Sequence, residues 1–144
     1  GITQVILGAL AFSDPLAIGK IQKKFGSESV IVALDNKDGL VMVEGWKTAT
    51  AMTVDDALEK YTGLGVHRFL ITSIAQDGML TGPDLPTLSQ AALYPNAKIV
   101  AAGGIGSIGD LVALKEIGVE GAVIGKALYE RRFTLREALQ RIGA

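Results

Sequence analysis

Two near-continuous apolar runs that each stop at glycine constrain this chain most. KIVAAGG spans Lys98 to Gly104 and GAVIGKA spans Gly121 to Ala127. Val, Ile and Ala without polar alternation read as strands buried on both faces, the signature of a parallel sheet covered by helices. Glycine at a strand's C-terminal end lets backbone N–H groups approach a ligand closely. A helix that starts there adds its positive end, which favours an anion. Two such ends side by side predict a phosphate site built from Gly103, Gly104 and Gly125, with Lys126 at the second turn either reaching the anion or solvated.

The rest of the chain repeats the same grammar. VILG, Val5 to Gly8, is a strand, and Ser13-Asp14-Pro15 opens a helix that runs to about Phe25 and stops at Gly26. SVIVALD, Ser29 to Asp35, is the second strand, and Asn36 to Trp46 reads as an inserted hairpin or ordered loop around Lys37-Asp38-Gly39. Thr53 and Asp56 form a capping-box variant at the head of a helix ending at Gly63 or Gly65. Strands follow over Arg68–Ile74, Lys98–Ala102 and Gly121–Ile124, and helices over Leu85–Leu93, Ser107–Ile117 and from Thr134 through Arg141. Strict β-α alternation implies a parallel sheet with right-handed crossovers. The expected class is α/β, of the (β/α)8 TIM-barrel type, present as about five βα units in one partial-barrel domain over residues 1–144. VILGALAF also resembles AVIGKALY, with Gly8 against Gly125 and Phe12 against Tyr129. The likeness is either chance similarity between two buried strands or, as a repeat four strands apart, the mark of a barrel made of two half-barrels, which would place a second phosphate site at Gly8, across the mouth from the first.

Composition excludes several classes. The chain has 144 residues, a formal net charge of −1, one histidine and no cysteine. That charge gives no footprint for nucleic acid, and the absence of cysteine removes disulfides, thiol nucleophiles and Cys-based zinc sites. No apolar run reaches about 18 residues, so no membrane span is expected and a cytoplasmic location is. A chain that begins at Gly1, already inside a strand-like stretch, reads as truncated.

In a βα-barrel, polar side chains at the C-terminal strand ends face the site, and those at the other end serve stability. Asp35 ends an apolar strand, where a carboxylate is costly to bury and tends to be paired or functional. Thr72 ends the next strand and either donates to a substrate oxygen or fills a β-branched position. Asp77-Gly78 is either a substrate-binding loop or a simple turn. Trp46, the only tryptophan, either stacks on a ligand ring or packs under its own loop. His67 precedes a strand at the opposite end and reads as a surface residue.

ALDNKDGLVMVEGW (Ala33–Trp46), ITSIAQDGMLTGPDL (Ile71–Leu85), VAAGGIGSIGDLVAL (Val100–Leu114) and VIGKALYERRFTLREAL (Val123–Leu139) resemble the C-terminal part of the ProFAR isomerase family of histidine biosynthesis. The resemblance covers essentially the whole chain and implies the fourth to eighth strands of that family's barrel. It further implies Asp35 as one of two acid–base aspartates, with Thr72 and Asp77 placing the substrate and Trp46 stacking against it. Gly103, Gly104, Gly125 and Lys126 would hold one phosphate, and Gly8 belongs to the opposite phosphate site. The family often has Thr where Ala9 stands, which weakens the reading of that second site. The implied reaction is an Amadori aminoaldose-to-aminoketose rearrangement of a bis-phosphorylated ribotide, with no metal and no organic cofactor. The sister cyclase barrel of the same pathway shares the repeat and the aspartate, though the Gly45-Trp46 loop and GKALYERRFTLREAL favour the isomerase. A tryptophan-pathway dual-substrate isomerase is a further alternative. So is a non-catalytic phosphate-binding fragment, closed as a flavodoxin-like open sheet or self-associated through open strand edges.

Overall fold

The computed structural model describes residues 1–143. The elements in chain order are β1 (Val5–Leu7), α1 (Ala9–Ser13), α2 (Leu16–Phe25), β2 (Val30–Lys37), β3 (Leu40–Val43) and β4 (Thr48–Thr53). They continue with α3 (Val54–Gly63), β5 (Arg68–Ser73), α4 (Leu85–Ala92), β6 (Lys98–Ala102), α5 (Ile108–Glu116), β7 (Gly121–Val123), α6 (Lys126–Tyr129) and α7 (Leu135–Ile142).

β1, β2, β5, β6 and β7 are all parallel, and each is the neighbour of the one before it. The order never reverses, as it does in a flavodoxin-like or other doubly wound sheet. Right-handed crossovers that always step the same way put every connecting helix on the same face. The barrel-type expectation is therefore borne out over these five strands.

Burial follows from that winding. On the helix-covered face, Val30, Val32, Leu34, Phe69, Ile71, Ile99 and Ala101 are fully buried. On the other face, Ile31, Ala33, Asp35, Leu70, Thr72 and Val100 are only half-buried, and Val123 is 49% exposed. Apolar side chains were expected to be buried on both faces, and only one face is covered by helices.

The helices are built as their sequences dictate. α3 buries Val54, Ala57, Leu58 and Tyr61, an i, i+3, i+4, i+7 stripe. Thr53 and Asp56 form the expected capping box, and Ser107–Asp110 and Thr134–Glu137 form two more.

Two stretches differ from their sequence reading. Ser13-Asp14-Pro15 does not open the first helix. α1 starts directly after Gly8, and Asp14 is the break between α1 and α2, whose N-cap position falls to Pro15 with no side-chain cap. The inserted hairpin is longer than expected, because β2 runs on through Asn36 and Lys37 and pairs with β3, which pairs in turn with β4. β1 pairs with β2 only at Val30–Val32, so β3 takes over the same edge at Asn36 and Lys37. The alternation in TATAMT was the overlooked strand signal.

The two ends of the sheet differ in chemistry. At the N-terminal end Arg68 makes a two-pronged pair with Glu120, Nε to Oε2 at 2.7 Å and Nη2 to Oε1 at 2.8 Å. The Arg68 guanidinium holds the Glu120 carboxyl below its ordinary value. At the C-terminal end Tyr61 reaches under the first turn: its hydroxyl donates to the Ala11 carbonyl at 2.9 Å, and its ring meets Phe12 edge-on with centroids 5.5 Å apart. No helix among the described residues is long and apolar enough to cross a membrane.

Burial pushes the Tyr61 hydroxyl up to about 12 from 10.0. A raised value in the folded state means stability is intact below pH 10 and is lost as pH rises toward 12, because the unfolded chain ionises first. Tyr61→Phe is expected to cost about 1–3 kcal/mol at neutral pH, the Ala11 carbonyl being left without its partner. It is also expected to flatten the alkaline loss. Urea unfolding of both proteins at pH 7, 9 and 11 measures the two effects; an equally steep alkaline loss in the variant would assign it to another group.

Candidate functional site

Parallel register brings the candidate residues into line. Asp35 pairs with Thr72, Thr72 with Ala102 and Ala102 with Val123. In-register residues of parallel strands point to the same face, so Asp35 and Thr72 are neighbours on the face without helices, at its C-terminal end. Two cavities flank this row.

The first cavity, about 60 Å³, is lined by Gly8, Ala9, Phe12, Ala33, Asp35 and residues Met42 to Trp46, at the end of β3 and in the loop after it. Glu44, Gly45 and Trp46 take φ of 56°, 65° and 72°, three left-handed residues in succession. Only glycine adopts that region without a Cβ penalty. The turn carries the indole over the end of β2, where Trp46 Nε1 donates to Asp35 Oδ2 at 2.7 Å. Thr48 Oγ1 donates to Glu44 Oε2 at 2.8 Å and secures the far side of the turn. Sequence reasoning offered Trp46 a ligand ring or its own loop as partner and missed this hydrogen bond, which supplies the partner that a half-buried carboxylate needs.

The second cavity is larger, about 260 Å³, and its lining gathers Asp77, Gly78, Gly103, Gly104, Gly125 and Lys126. The glycines in it are of two kinds. Gly103 and Gly104 have φ of 97° and 81°, and a Cβ on them would lie 2.6 Å from the Ser73 carbonyl oxygen and 2.2 Å from that of Gly82. These residues are glycine because the loop after β5 lies directly on the loop after β6, an approach sealed by Gly82 N–H donating to Gly104 O at 2.9 Å. Gly125 has open space where its Cβ would be. Lys126 is solvent-exposed, with its Nζ donating to the Gly78 carbonyl at 3.3 Å and lying 3.6 Å from Glu130, so it bridges the two loops from the solvent side.

The start of α5 is already occupied. Asp110 Oδ2 accepts from the N–H groups of Gly106 and Ser107, at 2.9 Å and 3.1 Å. A carboxylate there takes up part of the positive end that an anion would otherwise meet. Ser107-Ile108-Gly109-Asp110 carries the capping-box spacing in the sequence and was the available signal. What lines the cleft is the loop ahead of the helix, Gly103 to Ile105.

Gly8 and Gly125 lie in different cavities, as the two halves of a repeat should. Their backbones match: φ −96°, ψ −105° at Gly8 and φ −108°, ψ −99° at Gly125, each capping a short helix. The Gly8 cavity contains no cationic side chain and does contain Asp35 and Glu44. His67 lies at the opposite end of the sheet, its Nδ1 3.2 Å from the Asn96 carbonyl. Asn36, which sequence reasoning left in the inserted loop, is fully buried beside Asp35. Among the described residues no group of three or more His, Asp or Glu side chains is placed to hold a metal ion.

A family described as histidine biosynthesis protein matches residues 1–134. The chain is 40% identical over 145 aligned residues to a protein of Francisella philomiragia named 1-(5-phosphoribosyl)-5-((5-phosphoribosylamino)methylideneamino)imidazole-4-carboxamide isomerase; the match covers 97% of this chain and 60% of that protein. Proteins of the same name in Bacillus subtilis and Cenarchaeum symbiosum are 39% and 34% identical, over 99% and 96% of this chain and 59% of each of theirs. The chain thus spans about three-fifths of the length of the curated relatives it matches.

The two kinds of glycine predict different costs. Gly104→Ala combines a left-handed backbone with a carbonyl in the way, and is expected to destabilise by about 2–4 kcal/mol. Gly125→Ala meets nothing within 4 Å and is expected to cost less than half as much. Urea denaturation of the two variants checks the ratio; equal costs would mean that the β5 and β6 loops do not hold each other as described.

Proposed function

This chain belongs to the histidine biosynthesis protein family, and from that premise we propose that it carries one acid–base group and one phosphate-binding cleft of an aldose–ketose isomerase. The substrate class is a small ribotide with a phosphate at each end. The observation that carries the proposal is the row Asp35–Thr72–Ala102–Val123, which sets a carboxylate and a hydroxyl at one end and the glycine-lined cleft with Lys126 at the other. Relatives named as isomerases of a bis-phosphoribosyl compound support it.

An Amadori rearrangement needs two proton-handling groups. One acid protonates the ribose ring oxygen, the C1–O bond breaks, and the nitrogen lone pair forms the imine. A base then removes the C2 proton, giving the enolamine, and reprotonation at C1 completes the ketose. Asp35 is suited to one of these roles, and Thr72 beside it to holding a substrate oxygen. Phosphate held in the cleft would orient the reacting ribose, which is where remote binding energy is best used. Trp46, whose indole meets the Asp35 carboxylate, would cover that ribose.

The five parallel strands occupy about three-fifths of the relatives' length, a proportion that scales to about eight strands, the number that closes a barrel. We assign the residues as one partial-barrel domain and propose that the βα units by which the relatives exceed these residues supply the second acid–base group. Alone, the chain would turn over very slowly, and the free edges of β1 and β7 would favour self-association.

Two measurements test this. Inorganic phosphate at millimolar concentration is expected to shift the backbone amide signals of Gly103, Gly104 and Gly125; unmoved amides would remove the phosphate cleft. Supplying the remaining βα units of a relative in trans is expected to give isomerisation, and Asp35→Asn to lower it by about 10²–10⁴-fold. Retention of more than about a tenth of turnover, under ~1.4 kcal/mol in the barrier, would take Asp35 out of the chemistry.

A further inference from the structure

Asn36 is fully buried, and neither of its polar side-chain atoms is idle. Its Nδ2 donates to the Thr72 carbonyl at 3.1 Å, and its Oδ1 accepts from Gly39 N–H at 3.2 Å. Its own carbonyl accepts from Ile74 N–H at 3.0 Å, so backbone and side chain grip β5 on both sides of Ser73. Asn36 pairs in register with Ser73 on β5 and with Val41 on β3. One residue therefore joins the strand end bearing Asp35, the strand end bearing Thr72 and the Asp38-Gly39 turn from which the hairpin with Trp46 departs. Asp38 and Gly39 have φ of 52° and 83°, a conformation that such a side-chain acceptor stabilises.

An apolar residue at this site would fill the space, since Val32 and Leu34 occupy the same buried face. It would also leave the Thr72 carbonyl and the Gly39 N–H without these partners in a part-buried setting, where losing them still costs free energy. A buried amide with both ends used is a geometric clamp more than a packing element.

We infer that Asn36 is a positioning residue for the site: it sets the Asp35–Thr72 spacing and aims the hairpin so that the Trp46 indole meets the Asp35 carboxylate. It touches no substrate and acts through Asp35, Thr72 and Trp46. The inference deepens the isomerase reading and rests on it for the roles of Asp35 and Thr72.

Trp46 is the only tryptophan, so the chain shows one indole N–H resonance, and that resonance reports the bond to Asp35. Asp35→Ala fixes its position when the bond is absent. In Asn36→Leu the signal is expected to move more than halfway to that position while the amides of α5 stay in place. Leu111→Ala, a core truncation in α5, is expected to lower stability without moving it. Asn36→Asp keeps an acceptor for Gly39 N–H but sets an oxygen against the Thr72 carbonyl. It is expected to perturb the amides of Thr72 and Ser73 more than that of Gly39, and it serves if the Leu variant fails to fold. In the complemented enzyme, Asn36→Leu is expected to lower kcat by about 10²-fold with KM little changed. An indole signal that stays at the wild-type position in folded Asn36→Leu, amides of Thr72 and Ser73 that move no more than that of Gly39 in Asn36→Asp, or an indole signal that follows stability alone and moves equally in Leu111→Ala, overturns the inference. If the complemented wild-type enzyme shows no isomerisation, the isomerase reading fails, and the indole signal still decides whether Asn36 sets the hairpin.

Discussion

The structure depends on a single rule of winding. Each parallel strand is laid beside the previous one on the same side, and chirality then sends every crossover helix to the same face. From this follow the buried face with Phe69, Ile71 and Ile99, the half-buried opposite face, and the alignment of the C-terminal strand ends. Had the order reversed once, helices would cover both faces and the row from Asp35 to Val123 would be broken by a switch point. The cavities at either end of that row exist because nothing in the crossovers interrupts it.

The element types were legible because βα units punctuate themselves. Glycine stops and capping boxes mark element ends, and α3, α5 and α7 begin at the capping residues that announce them. The failures came where tertiary pairing overrules local chemistry. Asn36 and Lys37 carry turn-forming residue types, yet β3 and β5 draw them into the sheet. Ser13-Asp14 has capping chemistry, yet the chain is already helical by then because Gly8 begins α1.

The site was legible as a set of positions rather than as a set of bonds. Strand-end logic placed Asp35 and Thr72 beside each other and put Gly103, Gly104 and Gly125 around one cleft. It could not show that two of those glycines are required by a neighbouring carbonyl, because that neighbour comes from a loop distant in sequence. The Trp46–Asp35 bond was equally hidden, since it depends on three successive left-handed residues of which only Gly45 advertises that conformation.

The loops after β5 and β6 are sealed to each other by the Gly82–Gly104 hydrogen bond and by contacts too close to admit a methyl group. The hairpin bearing Trp46 meets the strand ends through the short ladder at Asn36 and Lys37, the Asn36 side chain and one bond to Asp35. These two walls have unequal stiffness. A molecule spanning the row would meet one side as a fixed surface, with little freedom left to lose. On the other side it would have to compete with an indole for its hydrogen-bond acceptor. The entropy of association would be lost mainly at the hairpin. Selectivity between molecules alike at the cleft end would be decided there, by how well each replaces tryptophan.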